Sequence, residues 1–255
     1  MTNARLETQD VSVSFGALRA VDRVSLSIPA DSIAALIGPN GAGKTTLFNA
    51  VAGALRPDSG SIRFAGARLD GLSPHRIFAH GIARTFQIPR PFAELSVIEN
   101  LMMVPPSQAG EAFWRNWLAP GRVRAEEARL RDKAHDILDF VTLRHLALAP
   151  ARTLSGGQLK LLELARVLMA DPRFILLDEP AAGVNAALLE VIVERIRALN
   201  ARGIGFLVIE HNIDLVTRLC HPIVVMAQGQ VMVVGDAADV RSDPRVIDAY
   251  LGDMP

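Results

Sequence analysis

The stretch "GPNGAGKT", Gly38–Thr45, constrains this chain more than any other. It matches G-x-x-x-x-G-K-[ST] at every fixed position, follows the wholly apolar run "IAALI" and precedes a helical pattern. A buried strand, a glycine turn and a helix in that order make one βα unit of an α/β sheet. Glycines let backbone N–H groups converge on phosphate oxygens where a Cβ would stand in the way. The helix N-terminus adds partial positive charge. On this reading Asn40, Gly41, Gly43, Lys44, Thr45 and Thr46 form a phosphate-binding set. Lys44 neutralises the β and γ phosphates of a nucleotide, and the Thr45 hydroxyl holds Mg²⁺.

Such a loop needs a second metal anchor on a neighbouring strand, and "FILLDEP" supplies one. Four apolar residues bury the strand, and Asp178 emerges at its carboxyl end, where α/β proteins bind their ligands. Glu179 follows at once. Adjacent carboxylates at a strand end suit two jobs: Asp178 on the metal through water, Glu179 activating an attacking water.

Length and pattern fill in the rest. The chain has 255 residues, 50% of them hydrophobic, enough for a sizeable core. Its net charge of +0 gives no bulk electrostatic pull on nucleic acid. "MTNARLETQD" lacks the apolar region of a signal peptide, and "FILL" and "FLVI" fall far short of the roughly 18 residues of a membrane span. These features predict a soluble, cytoplasmic protein. The single cysteine, Cys220, reads as a core thiol.

"LETQDVSVSF" and "VDRVSLSI" alternate as half-buried strands do, and "SIRFAG" reads as a further strand. A helix is expected from Lys44 to about Gly53, and another over "SPHRIFAH" with Ser73 as N-cap and Pro74 in its first turn. "SVIENLMMV" and "RVRAEEARLRDKAHDILDFV" look helical, with the irregular, tryptophan-bearing "PPSQAGEAFWRNWLAPG" between them. "IGFLVIE" is a buried strand, and "PIVVMAQGQVMVVG" a hairpin turning at Gln228–Gly229. The expected organisation is one domain. Residues 1–94 and 153–255 form the core with its β part. Residues 95–152, with a following helix to about 170, form a helical subdomain, and 236–255 a helical tail.

A second glycine-rich turn, "LSGGQ" at Leu154–Gln158, opens the amphipathic run "LKLLELARVL". Together with "GPNGAGKTT" and "ILLDEP" it makes the chain resemble the ATPases of ABC transporters along essentially its whole length. The resemblance implies a P-loop fold with an N-terminal antiparallel β part, a RecA-like mixed or parallel core and a helical signature subdomain. It implies that Gln87 in "ARTFQ" senses Mg²⁺ and contacts the membrane partner, that His211 in "VIEHN" touches the γ-phosphate, and that Phe15 stacks on adenine. "AAGVN", Ala181–Asn185, falls at the D-loop. Ser155, Gly156, Gly157 and Gln158 would cap the γ-phosphate held by another chain's P-loop, so that two chains share two sites.

"GIARTFQIPRPFAELSVIENL", "EPAAGVN" and the terminal "RVIDAYLG" resemble in particular the ATPases of branched-chain, or hydrophobic, amino acid uptake systems. That family pairs two ATPase chains, alike or paralogous, with two membrane permease subunits on the inner face of the cell membrane. A solute-binding protein delivers the amino acid. Related systems take urea, short amides or aromatic acids, so the solute stays open. A soluble ABC ATPase of DNA repair or translation would carry a long coiled coil or a second module, and this chain has neither. An ATP-holding module without hydrolysis would have lost Glu179 or His211, and both are present. The chain departs from the family in Gly156, where Tyr is commoner, in Leu159–Leu161, where the family is more basic, and in Ala186, where Pro is frequent.

Overall fold

The structure, a computed structural model, describes residues 5–85, 90–105 and 120–251. The expected irregular stretch with both tryptophans falls largely outside them. The chain divides into two compact units: residues 1–87, 172–182 and 196–255 in the first, residues 88–171 and 183–195 in the second.

The first unit holds two sheets. One is antiparallel, in the order β2 (Leu18–Pro29), β1 (Arg5–Phe15), β4 (Ser59–Phe64), β5 (Ala67–Arg68). The other has six strands. They run β10 (Gln230–Gly235), β9 (Ile223–Ala227), β3 (Ile33–Ile37), β8 (Gly205–Ile209), β7 (Phe174–Asp178), β6 (Ile82–Arg84). Only β10 runs antiparallel to its neighbour, so the sheet is mixed with a parallel centre.

The sequence pattern explains the division. Every residue of β3, β7 and β8 is buried, as central parallel strands covered on both faces require. β2 alternates buried and exposed along much of its length, as a sheet with one wet face does. One hydrophobic cluster runs through this unit, from Leu6, Val11 and Phe64 to Phe48, Phe174 and Met226. The rings of Phe64 and Phe174 meet edge to face at 5.7 Å.

The expected hairpin is present: β9 and β10 turn at Gln228 and Gly229, both with positive φ, 49° and 79°. The helix after the glycine loop spans Lys44–Val51, slightly shorter than expected. The tail is helical and comprises two helices, Ala237–Ser242 and Pro244–Leu251. Strand β6 was not expected; only Ile82 and Ala83 are buried in it, too short a run for a periodicity to show. Cys220 is buried, and burial together with the charge of Glu210 pushes its thiol up to about 12, which fits the core-thiol reading.

The second unit is helical. Its helices Val97–Met102, Pro120–Phe140 and Gly156–Leu168 bury Leu101, Leu138 and Leu162. Fully buried Asn100 ties down the segment before its helix. Its side chain accepts from Phe92 N at 2.8 Å and donates to the carbonyls of Phe92, Leu95 and Ser96. A buried amide so engaged is a structural fastener.

Candidate nucleotide site

Three adjacent strands, β3, β8 and β7, deliver the sequence-predicted residues to one end of the mixed sheet. Gly38–Thr45 follows β3, Asp178 closes β7 and Glu179 follows it, and His211 stands just beyond β8. This is the carboxyl end of the parallel centre, the ligand-binding end of α/β sheets.

The glycine loop owes its shape to residues without Cβ. Gly38, Gly41 and Gly43 have φ of 145°, 77° and 94°. A Cβ on Gly43 would stand 2.2 Å from the Ala20 carbonyl oxygen, and one on Gly38 2.0 Å from that of Met226. Around Gly41 there is open space instead. The following helix has no side-chain cap, so its first N–H groups face the loop without a competing acceptor. Lys44 is buried and donates from Nζ to the carbonyls of Gly38 at 2.7 Å and Pro39 at 2.8 Å. Burial presses its pKa down, and the Glu179 carboxylate opposes that. Asn40, Gly41 and Thr45 are exposed and Thr46 partly so. Phe15, at the end of β1, has 52% of its surface exposed, so it is not core.

Asp178 is buried, with its Oδ2 3.2 Å from Arg84 Nη2. Arg84 also donates to the Asn49 side chain and lies over the Phe48 ring at 4.9 Å. Glu179 sits in the left-handed region at φ 47°, an uncommon conformation for a residue with a long side chain. Its N–H donates to Ile209 O at 3.0 Å, and its Oε1 lies 3.1 Å from His211 Nε2. That separation puts the imidazole and the carboxylate within hydrogen-bonding reach of each other.

Two charged residues at this end were not singled out in the sequence: Arg84 and the buried Glu210, which accepts backbone N–H groups from Ala181, His211 and Asn212. The apolar run "GFLVI" ending on an acid was the available hint for Glu210. Gln87 lies outside the described residues.

The signature turn belongs to the second unit. Ser155 takes an extended conformation and caps the helix Gly156–Leu168 in a capping box. Its Oγ accepts from Gln158 N at 3.4 Å, and Gln158 Oε1 accepts from Ser155 N at 2.9 Å. Gly156 is exposed. Gly157 is buried, and a Cβ there would meet Leu188 Cδ2 at 2.2 Å.

For a hard divalent cation, the donors at hand are the Thr45 hydroxyl and the Asp178 carboxylate. That oxygen set suits Mg²⁺, which takes one or two protein oxygens and completes its shell with phosphates and water. Among the described residues no cluster of three His, Cys, Asp or Glu forms a protein-only metal cage.

The comparisons with known proteins agree with this geometry. A family described as "ABC transporter" matches residues 21–182, and one described as "Branched-chain amino acid ATP-binding cassette transporter" matches residues 230–254. The probable branched-chain amino acid transport ATP-binding protein LivG of Archaeoglobus fulgidus is 42% identical, over 97% of this chain and 95% of that protein. The high-affinity branched-chain amino acid transport ATP-binding protein BraF of Pseudomonas aeruginosa is 36% identical, over 99% of this chain and all of that one. The fold is similar to a nucleotide-free ATP-binding cassette from an ABC transporter, with a TM-score of 0.85, 37% identity and coverage of 98% of this chain and 100% of that one. A second cassette, solved in its ADP conformation, gives a TM-score of 0.83 at 36% identity, with 98% and 99% covered. With the glycine loop, the Asp-Glu pair and the histidine gathered on three neighbouring strands, and with relatives alike along their full length, this chain belongs to the ATP-binding-cassette family of transporter ATPases.

Proposed function

We propose that the chain is the ATP-hydrolysing subunit of an importer for branched-chain or related hydrophobic amino acids. The observation that carries the hydrolytic part is the contact between Glu179 and His211, 3.1 Å apart beside the glycine loop. The names of the relatives support the solute class.

In this reading the loop N–H groups and Lys44 Nζ hold the β and γ phosphates, and Phe15 offers its exposed ring to the adenine. Thr45 and Asp178 hold Mg²⁺, which when bound offsets charge on the phosphate oxygens. Arg84 Nη2 pairs with the Asp178 carboxylate at 3.2 Å and so fixes its direction. Glu179 accepts a proton from the attacking water. His211 Nε2, 3.1 Å from that carboxylate, aligns it, and with nucleotide bound the imidazole turns to a γ-phosphate oxygen instead. Gln87 contributes at the metal and towards the permease. The exposed Ser155 and Gly156, seated by Gly157 and Gln158, act on nucleotide held by a second ATPase chain, so turnover requires a pair. No helix among the described residues is long and apolar enough to cross a membrane. The chain works at the membrane's inner face through permease subunits, served by a solute-binding protein.

Glu179→Gln tests the chemistry. It should keep ATP affinity and lower turnover by about 10²-fold or more, the usual weight of a general base. Wild-type hydrolysis in that variant would remove Glu179 from the role. The solute is tested by reconstituting the chain with its permeases and binding protein and scanning amino acids for stimulated ATPase activity. Stimulation by urea or amides instead of leucine, isoleucine or valine would overturn the solute class.

A further inference from the structure

We propose that Glu210 is a positioning residue for hydrolysis: its buried carboxylate fastens the Ala181 segment to the His211 loop and so holds Glu179 in its working conformation. The proposal rests on the reading of Glu179 as the base.

Glu210 is 4% exposed and ends the apolar run of β8. Burying a carboxylate is costly unless its oxygens are well satisfied. Here Oε1 accepts from Ala181 N at 2.8 Å, while Oε2 accepts from His211 N at 3.0 Å and Asn212 N at 3.1 Å. Hydrogen bonds to an ionised acceptor are about twice as strong as neutral ones. One side chain thus joins two loops that the sequence separates by 29 positions.

The two loops are those that carry the reacting groups. Ala181 lies two residues after Glu179, and Ala182 N returns to Glu179 O at 3.2 Å. His211 reaches back to Glu179 Oε1. The contacts therefore close a ring: Glu179 to Ala181 along the chain, Ala181 to Glu210 and Glu210 to His211 through the carboxylate, His211 to Glu179 through Nε2. Glu179 needs such a frame, because a left-handed φ of 47° persists in a non-glycine residue only when its surroundings impose it. Ile209 O holds the Glu179 N–H, and Glu210 holds the chain two residues further on, at Ala181 N. Gly183, two residues beyond Ala181, begins the segment that belongs to the second unit.

Glu210→Gln keeps the size of the side chain but turns one acceptor into a donor that faces a backbone N–H. In the full chain assembled with its permeases, kcat should fall about tenfold or more while the KM for ATP stays within about twofold, as expected when reacting groups are misplaced without loss of substrate binding. Amide hydrogen exchange at Ala181, His211 and Asn212 should accelerate about tenfold in the same variant, with the glycine loop unchanged. Glu210→Asp keeps the charge but withdraws it by one methylene, and should show the same split more mildly if the glutamine variant folds poorly. Wild-type kcat in both variants, a rise in KM matching the loss of turnover, or unchanged exchange at those three amides would overturn the proposal. The exchange result does not depend on hydrolysis. If Glu179→Gln turned over like the wild type while exchange still rose in Glu210→Gln, the base assignment would fail and the fastening would stand.

Discussion

The chain contains two glycine-rich turns that each open a helix, and they are built in opposite ways. In Gly38–Thr45 the glycines take positive φ, two of them press against backbone carbonyls, and the helix starts without a side-chain cap. In Leu154–Gln158 neither glycine has positive φ, the helix start is sealed by the Ser155–Gln158 capping box, and the second glycine is there to admit Leu188. The first turn spends its glycines on backbone shape, which leaves N–H groups convergent and open. The second spends one on packing, and presents only the exposed Ser155 and Gly156 at its tip. Similar composition therefore encodes a cradle in one place and a firmly seated contact surface in the other. That contrast fits one turn that grips nucleotide alone and one that acts only when another chain brings nucleotide to it.

The most damaging way to probe the contrast is Gly43→Ala. The new Cβ would meet a carbonyl oxygen at 2.2 Å and the residue would be held at φ 94°. Strain and overpacking together should cost roughly 2–5 kcal/mol in denaturant unfolding, with ATP binding lost. Gly156→Ala is the matched change in the other turn. Its Cβ meets Gly183 O at 3.6 Å, an ordinary contact, so stability should stay within about 0.5 kcal/mol. Equal destabilisation by the two would erase the distinction.

A smaller effect is expected at Gly157. An added Cβ meets the end of the Leu188 side chain, which can rotate, so Gly157→Ala should cost about 1–3 kcal/mol. Leu188→Ala in the same chain makes room and should return part of that cost, with a coupling of at least about 0.5 kcal/mol in a double-mutant cycle. Strict additivity would mean that Gly157 is glycine for some reason other than packing.

The same two turns show how far residue patterns reach. The loop, the Asp178–Glu179 pair and His211 are legible because each follows an apolar run that reads as a buried strand, so chain order alone brings them to one end of a sheet. Arg84 is not legible that way. Its partner Asp178 is 94 positions distant, and the strand that carries it has three residues. Glu210 is hidden for the same reason, since nothing local announces that Ala181 will stand above it. "LKL" after the signature reads in the sequence as lost positive charge. In the structure Leu161 is buried in the second unit, so at that position an apolar side chain serves the packing of the helix rather than any ligand. Gln158 likewise reads as a phosphate ligand, yet its side-chain oxygen is engaged by Ser155 N.

Ser155 allows the smallest and most discriminating test, because its two roles can be separated. Ser155→Ala removes the cap and should cost about 1 kcal/mol, measured by unfolding of the full chain. Ser155→Asp restores a good cap, since Asp and Ser are comparable at that position, and should unfold like the wild type. It also places a negative charge at the exposed tip, where the proposed function puts the γ-phosphate bound to a second chain. Turnover by the assembled transporter should therefore fall in Ser155→Asp although its stability does not, by about tenfold for roughly 1.4 kcal/mol of repulsion. If Ser155→Asp hydrolyses ATP at the wild-type rate, the tip carries no phosphate and the signature turn is a capped helix start alone. If it loses stability as Ser155→Ala does, the capping box is not what seats the turn, and the contrast with the glycine loop has to be sought in Gly157 and Leu188.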